Sequence, residues 1–131
     1  MKRKKFLKKI IANSPEDLTL ISALCSKSNV KQSNIKYLKN NKIFLITLER
    51  QDNESMNSPK KIISIVKFEY IENSKSKNIN QNQSDKILNL LGIKLFKINN
   101  NYQILLLFSN NAAITLSTET IDVTLEDLEE W

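Results

Sequence analysis

The stretch Tyr102-Gln103-Ile104-Leu105-Leu106-Leu107-Phe108, then Ser109-Asn110-Asn111, then Ala112-Ala113-Ile114-Thr115-Leu116-Ser117-Thr118, reads as a β-hairpin. Two runs of strand length, rich in apolar residues, flank a short polar turn. Asparagine tolerates the left-handed backbone better than other non-glycine residues, which suits it to turns in a chain with a single glycine. Lys39-Asn40-Asn41-Lys42 and Asn99-Asn100-Asn101 look like the same device, the former joining two strands as a hairpin turn. After the hairpin the pattern changes parity. Ala112, Ile114 and Leu116 put even positions inward, whereas Ile121, Val123 and Leu125 put odd positions inward. A strand that keeps one face toward the core cannot change parity without an extra residue or a break. A β-bulge or strand switch is therefore expected near Glu119-Thr120. Thr124 resembles a helix cap, with Glu126 and Asp127 in a final helical turn and Leu128 and Trp131 facing inward.

Toward the N-terminus, residues 6–12 suit a first strand. A helix start follows. Ser14 is a good N-cap, Pro15 suits the first helical position, and Glu16 and Asp17 sit where the helix dipole favours acids. Leu18, Ile21 and Cys25 recur at helical spacing with Leu20 and Leu24 on the flank, which predicts a helix over 15–26. Residues 30–37 read as a polar edge strand. The apolar run 43–49 reads as a central strand buried on both faces. Residues 51–59 form a polar loop. Residues 61–71 form a strand with Ile62, Val66, Phe68 and Tyr70 on one face. Residues 72–83 have almost no apolar side chains and read as a mobile excursion. Ser84 reads as the cap of a short helix through Leu90 that Gly92 ends, and 93–98 returns as a strand. The expectation is an α+β fold of about seven strands. Short turns argue for antiparallel pairing in a strongly curled sheet or small barrel, with the early helix packed against it. A pleckstrin-homology-like barrel is one form, although such barrels end in a long capping helix and only about seven residues follow Thr124.

With 131 residues, 40% of them hydrophobic, the chain suits one packed core. The expected organisation is a basic N-terminal tail over 1–9 and a single domain over 10–131. No apolar run approaches the roughly 18–20 residues that span a bilayer. Lys2, Arg3, Lys4 and Lys5 before Phe6-Leu7 begin like a signal peptide, but Lys8 and Lys9 interrupt the apolar region. A single cysteine allows no internal disulfide, in keeping with a reducing compartment. The expectation is a small soluble cytoplasmic protein. The net charge of +6 is unevenly spread. Residues 1–9 hold six cations and no acid, while Glu119, Asp122, Glu126, Asp127, Glu129 and Glu130 carry the acidic end. If these charges have partners, the two ends are expected not to share one. Lysine outnumbers arginine eighteen to two, and much of it reads as composition on a solvated surface.

Absent atoms exclude several chemistries. Without histidine there is no histidine base, histidine metal ligand or ordinary serine or cysteine triad. One glycine excludes a Walker loop or dinucleotide fingerprint, and one cysteine excludes a zinc ribbon. No cofactor or metal is implied. Cys25, late on an apolar helical stripe, reads as a core residue and not as a nucleophile. Glu49, Asp52 and Glu54, and separately Glu119, Asp122 and Glu126, form acidic groups that match no ligand spacing and read as a solvated rim. Lys2, Arg3, Lys4, Lys5, Lys8 and Lys9 are the candidate anion-binding residues, for RNA, an acidic membrane or an acidic protein, with Phe6 available to stack.

Several stretches together resemble a known family. Ser14-Pro15-Glu16-Asp17-Leu18 with Ile21-Ser22-Ala23 is similar to its opening, and Leu90-Leu91-Gly92-Ile93 to a Leu-Leu-Ala-Ile run. Ile114-Thr115-Leu116, Glu119 and Ile121, then Leu125-Glu126-Asp127-Leu128 with Trp131, resemble its closing segment. This order resembles the alphaproteobacterial family called domain of unknown function 2948. After Leu48 that family tends to have an Asn-Arg-Phe type stretch where this chain has Glu49-Arg50-Gln51-Asp52, and its start is shorter. The resemblance implies a bacterial cytoplasmic protein and implies no activity. The functional expectation is a non-enzymatic module that binds another protein through an exposed strand or groove, the edge-like 30–37 segment being the candidate strand. The alternatives are an anion-binding accessory protein using the basic N-terminus, and a small carboxylate-based enzyme.

Overall fold

The structure, a computed structural model, describes residues 8–52 and 60–128. The expected tail cations Lys2, Arg3, Lys4 and Lys5, the loop acid Glu54, and Trp131 lie outside the described residues. The chain forms β1 (Lys9–Ala12), α1 (Pro15–Cys25), β2 (Ser28–Lys31), a 3-10 turn (Gln32–Asn34), β3 (Ile35–Leu38) and a second 3-10 turn (Lys39–Asn41). There follow β4 (Ile43–Asp52), β5 (Lys60–Phe68), β6 (Ile71–Lys77), β7 (Ile87–Ile98), β8 (Asn101–Phe108), β9 (Ala113–Thr118) and β10 (Val123–Asp127). All ten strands join one antiparallel sheet in the order β1-β10-β5-β4-β2-β7-β8-β9-β6, with β3 also paired to β4. The fold is α+β, a curled sheet with one helix. The ladder has ends at β1 and β6, so it does not close into a barrel.

The helix forms as its residues dictate. Ser14 Oγ accepts the Asp17 N–H at 3.2 Å, Pro15 opens the first turn, and Leu18, Ile21 and Cys25 turn inward. It packs mainly against β7 and β1. The Ile93 N–H donates to Ser22 Oγ at 2.9 Å, and Gly92 leaves the backbone close to that hydroxyl. The core is lined by alternate residues of the strands, among them Phe44, Ile46 and Leu48 of β4, Val66 and Phe68 of β5, and Ile104, Leu106 and Phe108 of β8. Phe44 and Phe68 are register partners and meet edge to face at 5.9 Å.

Three strands more than expected arise where the apolar pattern misleads. Residues 30–37 are not one edge strand. The 3-10 turn splits the segment, and β2 lies between β4 and β7, leaving β3 alone with an unpaired edge. Residues 71–77 form β6, paired along β9, although its inward positions are only Ser74 and Ser76 behind Ile71. The expected helix between Ser84 and Leu90 is instead a turn at 84–85 followed by the start of β7. A register shift between Leu90 and Gly92 moves its inward set from Leu88 and Leu90 to Ile93, a spacing that imitates a helix. β4 is central, yet its residues alternate between buried and half-buried, so one face meets the core and not both. Tyr70 is exposed at φ 60°, turning β5 into β6. The closing segment is β10, not a helical turn, and Leu128 is exposed.

The parity change after Leu116 is a strand switch. The chain leaves β9, which pairs with β8 and β6, and enters β10, which pairs with β5 and β1. Thr118 Oγ1 holds the corner, 2.8 Å from the carbonyl oxygens of both Tyr70 and Thr120. Among the described residues seven non-glycine residues adopt positive φ, and four are asparagines: Asn78, Asn99, Asn110 and Asn111. Lys27, just past α1 at φ 67°, is one of the other three. Lys27→Gly should raise stability by roughly 0.5–1 kcal/mol and Lys27→Val lower it by about 1 kcal/mol, because a branched side chain fits the left-handed region worst. Urea unfolding of the two variants checks the opposite signs.

Candidate functional site

Two polar features of the described residues stand apart from an ordinary core. The first is a buried ion pair. Arg50 of β4 is 3% exposed and Asp127 of β10 is 4% exposed. Arg50 Nη2 donates to Asp127 Oδ2 at 2.8 Å and its Nε donates to Oδ1 at 3.2 Å, a two-pronged contact. Ser64 Oγ of β5 donates to Oδ1 at 2.6 Å and accepts from Arg50 Nε at 3.1 Å. The Lys8 N–H donates to Oδ2 at 3.2 Å, and the Asp127 N–H returns a bond to the Lys8 carbonyl at 2.9 Å. The carboxylate thus accepts four hydrogen bonds and presents no free face for chemistry. Cys25 lies within electrostatic reach. Burial pushes its thiol up to about 12, with Arg50 opposing and Asp127 adding to the rise. Such a thiol is an inert core group, as its place on the apolar stripe suggested.

The second feature is a groove of about 270 Å³ between β3 and β6. Ile35 and Tyr37 of β3 line one wall, Ser74 and Ser76 of β6 the other, and Phe44, Ile79 and Ile114 contribute apolar surface. Tyr37 Oη donates to the Ile71 carbonyl at 2.9 Å and bounds one end. Gln32 Nε2 donates to the Asn80 carbonyl and bounds the other. Gln32 is 8% exposed, and its Oε1 is buried without a hydrogen-bond partner. A buried acceptor left unpaired costs on the order of 1–3 kcal/mol. Among the described residues no ladder joins β3 to β6, so each presents an unpaired edge. A hollow at Asn82–Lys86 is lined by consecutive residues of one loop and has no such features.

The structure treats the expected site residues differently. Lys9 opens β1, and Lys8 stands just before it with its backbone hydrogen-bonded to Asp127. Lys9 lies opposite Glu126 in the β1–β10 ladder, and both side chains are exposed. Glu49 pairs with Lys61 at 3.4 Å, and no three acidic groups converge among the described residues. The Arg50–Asp127 pair was hidden in the sequence because its partners are 77 positions apart. One signal was present: Arg50 is the sole arginine after Arg3 in a chain that otherwise uses lysine, and only a guanidinium makes this planar two-pronged contact.

Asp127→Ala should cost about 3–5 kcal/mol in urea unfolding, because it strands a buried guanidinium. The double replacement Arg50→Met with Asp127→Leu should cost much less than either single change. Cys25 makes a separate prediction. Its folded pKa lies above the unfolded value of 9.0, so its contribution is whole below pH 9 and fades as pH rises toward 12. Comparing stability against pH in the parent and in Cys25→Ala should show the steeper alkaline fall in the parent. Native protein should also resist thiol reagents at pH 8.

No curated protein and no solved structure matches this chain. A family model described as "Protein of unknown function (DUF2948)" matches residues 8–131, beginning at the residue whose backbone closes on Asp127. The chain belongs to that family of proteins of unknown function.

Proposed function

We propose that this protein is a non-enzymatic interaction module of the bacterial cytoplasm, and that it takes an extended segment of another protein into the groove between β3 and β6. The observation that carries the reading is the pairing of two open strand edges with an apolar hollow and the unpaired Gln32 Oε1. Exposed edges template the addition of a strand, with backbone bonds supplying affinity and side-chain pockets supplying selectivity. The candidate edge narrows from the 30–37 segment to β3, because β2 is already paired on both sides. Among the described residues no helix is long and apolar enough to cross a membrane. The anion-binding alternative draws less support, since the ladder sets Lys9 opposite Glu126.

Selection of a phage-displayed random-peptide library on the full chain tests the reading, with counter-selection on Ser76→Trp to fill the groove. Peptides should be enriched that bind the parent, fail on the variant and shift backbone amide resonances of β3 and β6. A library that yields no peptide distinguishing parent from variant overturns it.

A further inference from the structure

The groove's two walls carry a pattern that specifies the chemistry of its occupant. On β3, Ile35 and Tyr37 face the groove while Lys36 and Leu38 are exposed on the other face. On β6, Ser74 and Ser76 face the groove while Lys75 and Lys77 are exposed on the other face. An extended segment laid along these edges alternates in the same way, one residue inward and the next outward. Its inward residues meet Phe44, Ile79, Ile114 and Tyr37, and the small Ser74 and Ser76 leave room for branched apolar side chains. Its outward residues are flanked by Lys36 on one side and by Lys75 and Lys77 on the other.

These lysines have no acid across their existing ladders. Lys36 lies opposite Leu45, Lys75 opposite Thr115 and Lys77 opposite Ala113. The neighbouring acid Glu72 is already paired with Lys42 at 3.2 Å, and Asp85 is paired with Lys31 at 3.7 Å. Opposite charges facing one another across strands stabilise a sheet, and like charges destabilise it.

Resting on the groove reading above, we propose that the occupant is an extended segment of a partner protein in which apolar and acidic residues alternate over about four positions, the length of β3. The apolar side chains enter the groove and the acidic ones pair with Lys36, Lys75 and Lys77.

Three capped heptapeptides on the full-length chain test this, each alternating valine with glutamate, threonine or lysine and carrying a fluorophore for anisotropy. The glutamate peptide should bind most tightly, and its affinity should weaken as salt rises. The double variant Lys75→Glu with Lys77→Glu, whose changes are on the exposed face, should lose about tenfold for that peptide and gain for the lysine peptide. Equal binding of all three peptides, lost in Ser76→Trp, would keep the groove and sink the acidic preference. If none binds, both readings fall, and a single-stranded RNA oligomer or a second copy of the chain found on the face instead identifies the other occupant. Self-association would show as a concentration-dependent dimer in sedimentation.

Discussion

The contact between Arg50 and Asp127 is the constraint around which the sheet is registered. It draws on four strands or their flanks: β4 gives the guanidinium, β10 the carboxylate, β5 the Ser64 hydroxyl, and the chain entering β1 the Lys8 amide. A buried pair of this kind adds little net stability over apolar residues of the same volume, but it strongly penalises any arrangement that separates the charges. A slip of one residue in β10 would turn Asp127 outward and bring Glu126 in, leaving Arg50 without its two-pronged partner. Asp127 and Ser64 are direct register partners, so the same contact fixes the β5–β10 ladder. With one core served by so many short strands, uniqueness of pairing is the harder requirement, and polar atoms supply it.

Much of the fold was legible where local rules and global packing agree. The β8–β9 hairpin alternates cleanly, the α1 start obeys capping chemistry, and asparagines hold the left-handed positions at 99 and 110–111, although in the 39–42 turn Lys42 takes that role. The parity change after Leu116 was readable because a sheet face cannot be shared by both parities. What escaped was set by the sheet and not by the segment. β6 is a strand because β9 offers it an edge, and its serines face a groove that requires no bulk. β7 looked helical because its irregularity at Leu90–Gly92 breaks the period of two.

The candidate groove was illegible for a further reason. Its walls come from β3 and β6, and its remaining apolar surface comes from Phe44, Ile79 and Ile114, so no contiguous stretch of the chain describes it. Only the polar edge character of the 30–37 region hinted at an open strand. The lysines that flank it were indistinguishable in sequence from the surrounding compositional lysine. Their significance depends on which residues lie opposite them, which only the register reveals.

The pairing of β1 with β10 also has a temporal side. The Lys8 amide and the Asp127 carboxylate are 119 positions apart, so β1 leaves a ribosome well before β10 and waits for it before it has a ladder partner. Contacts of such long separation fold slowly, since loop entropy must be lost before they form. During synthesis β1 remains an unpaired edge, and its Lys9 provides the charge that discourages pairing with other nascent chains. Closure of the β1 edge therefore waits until β10 has been synthesised.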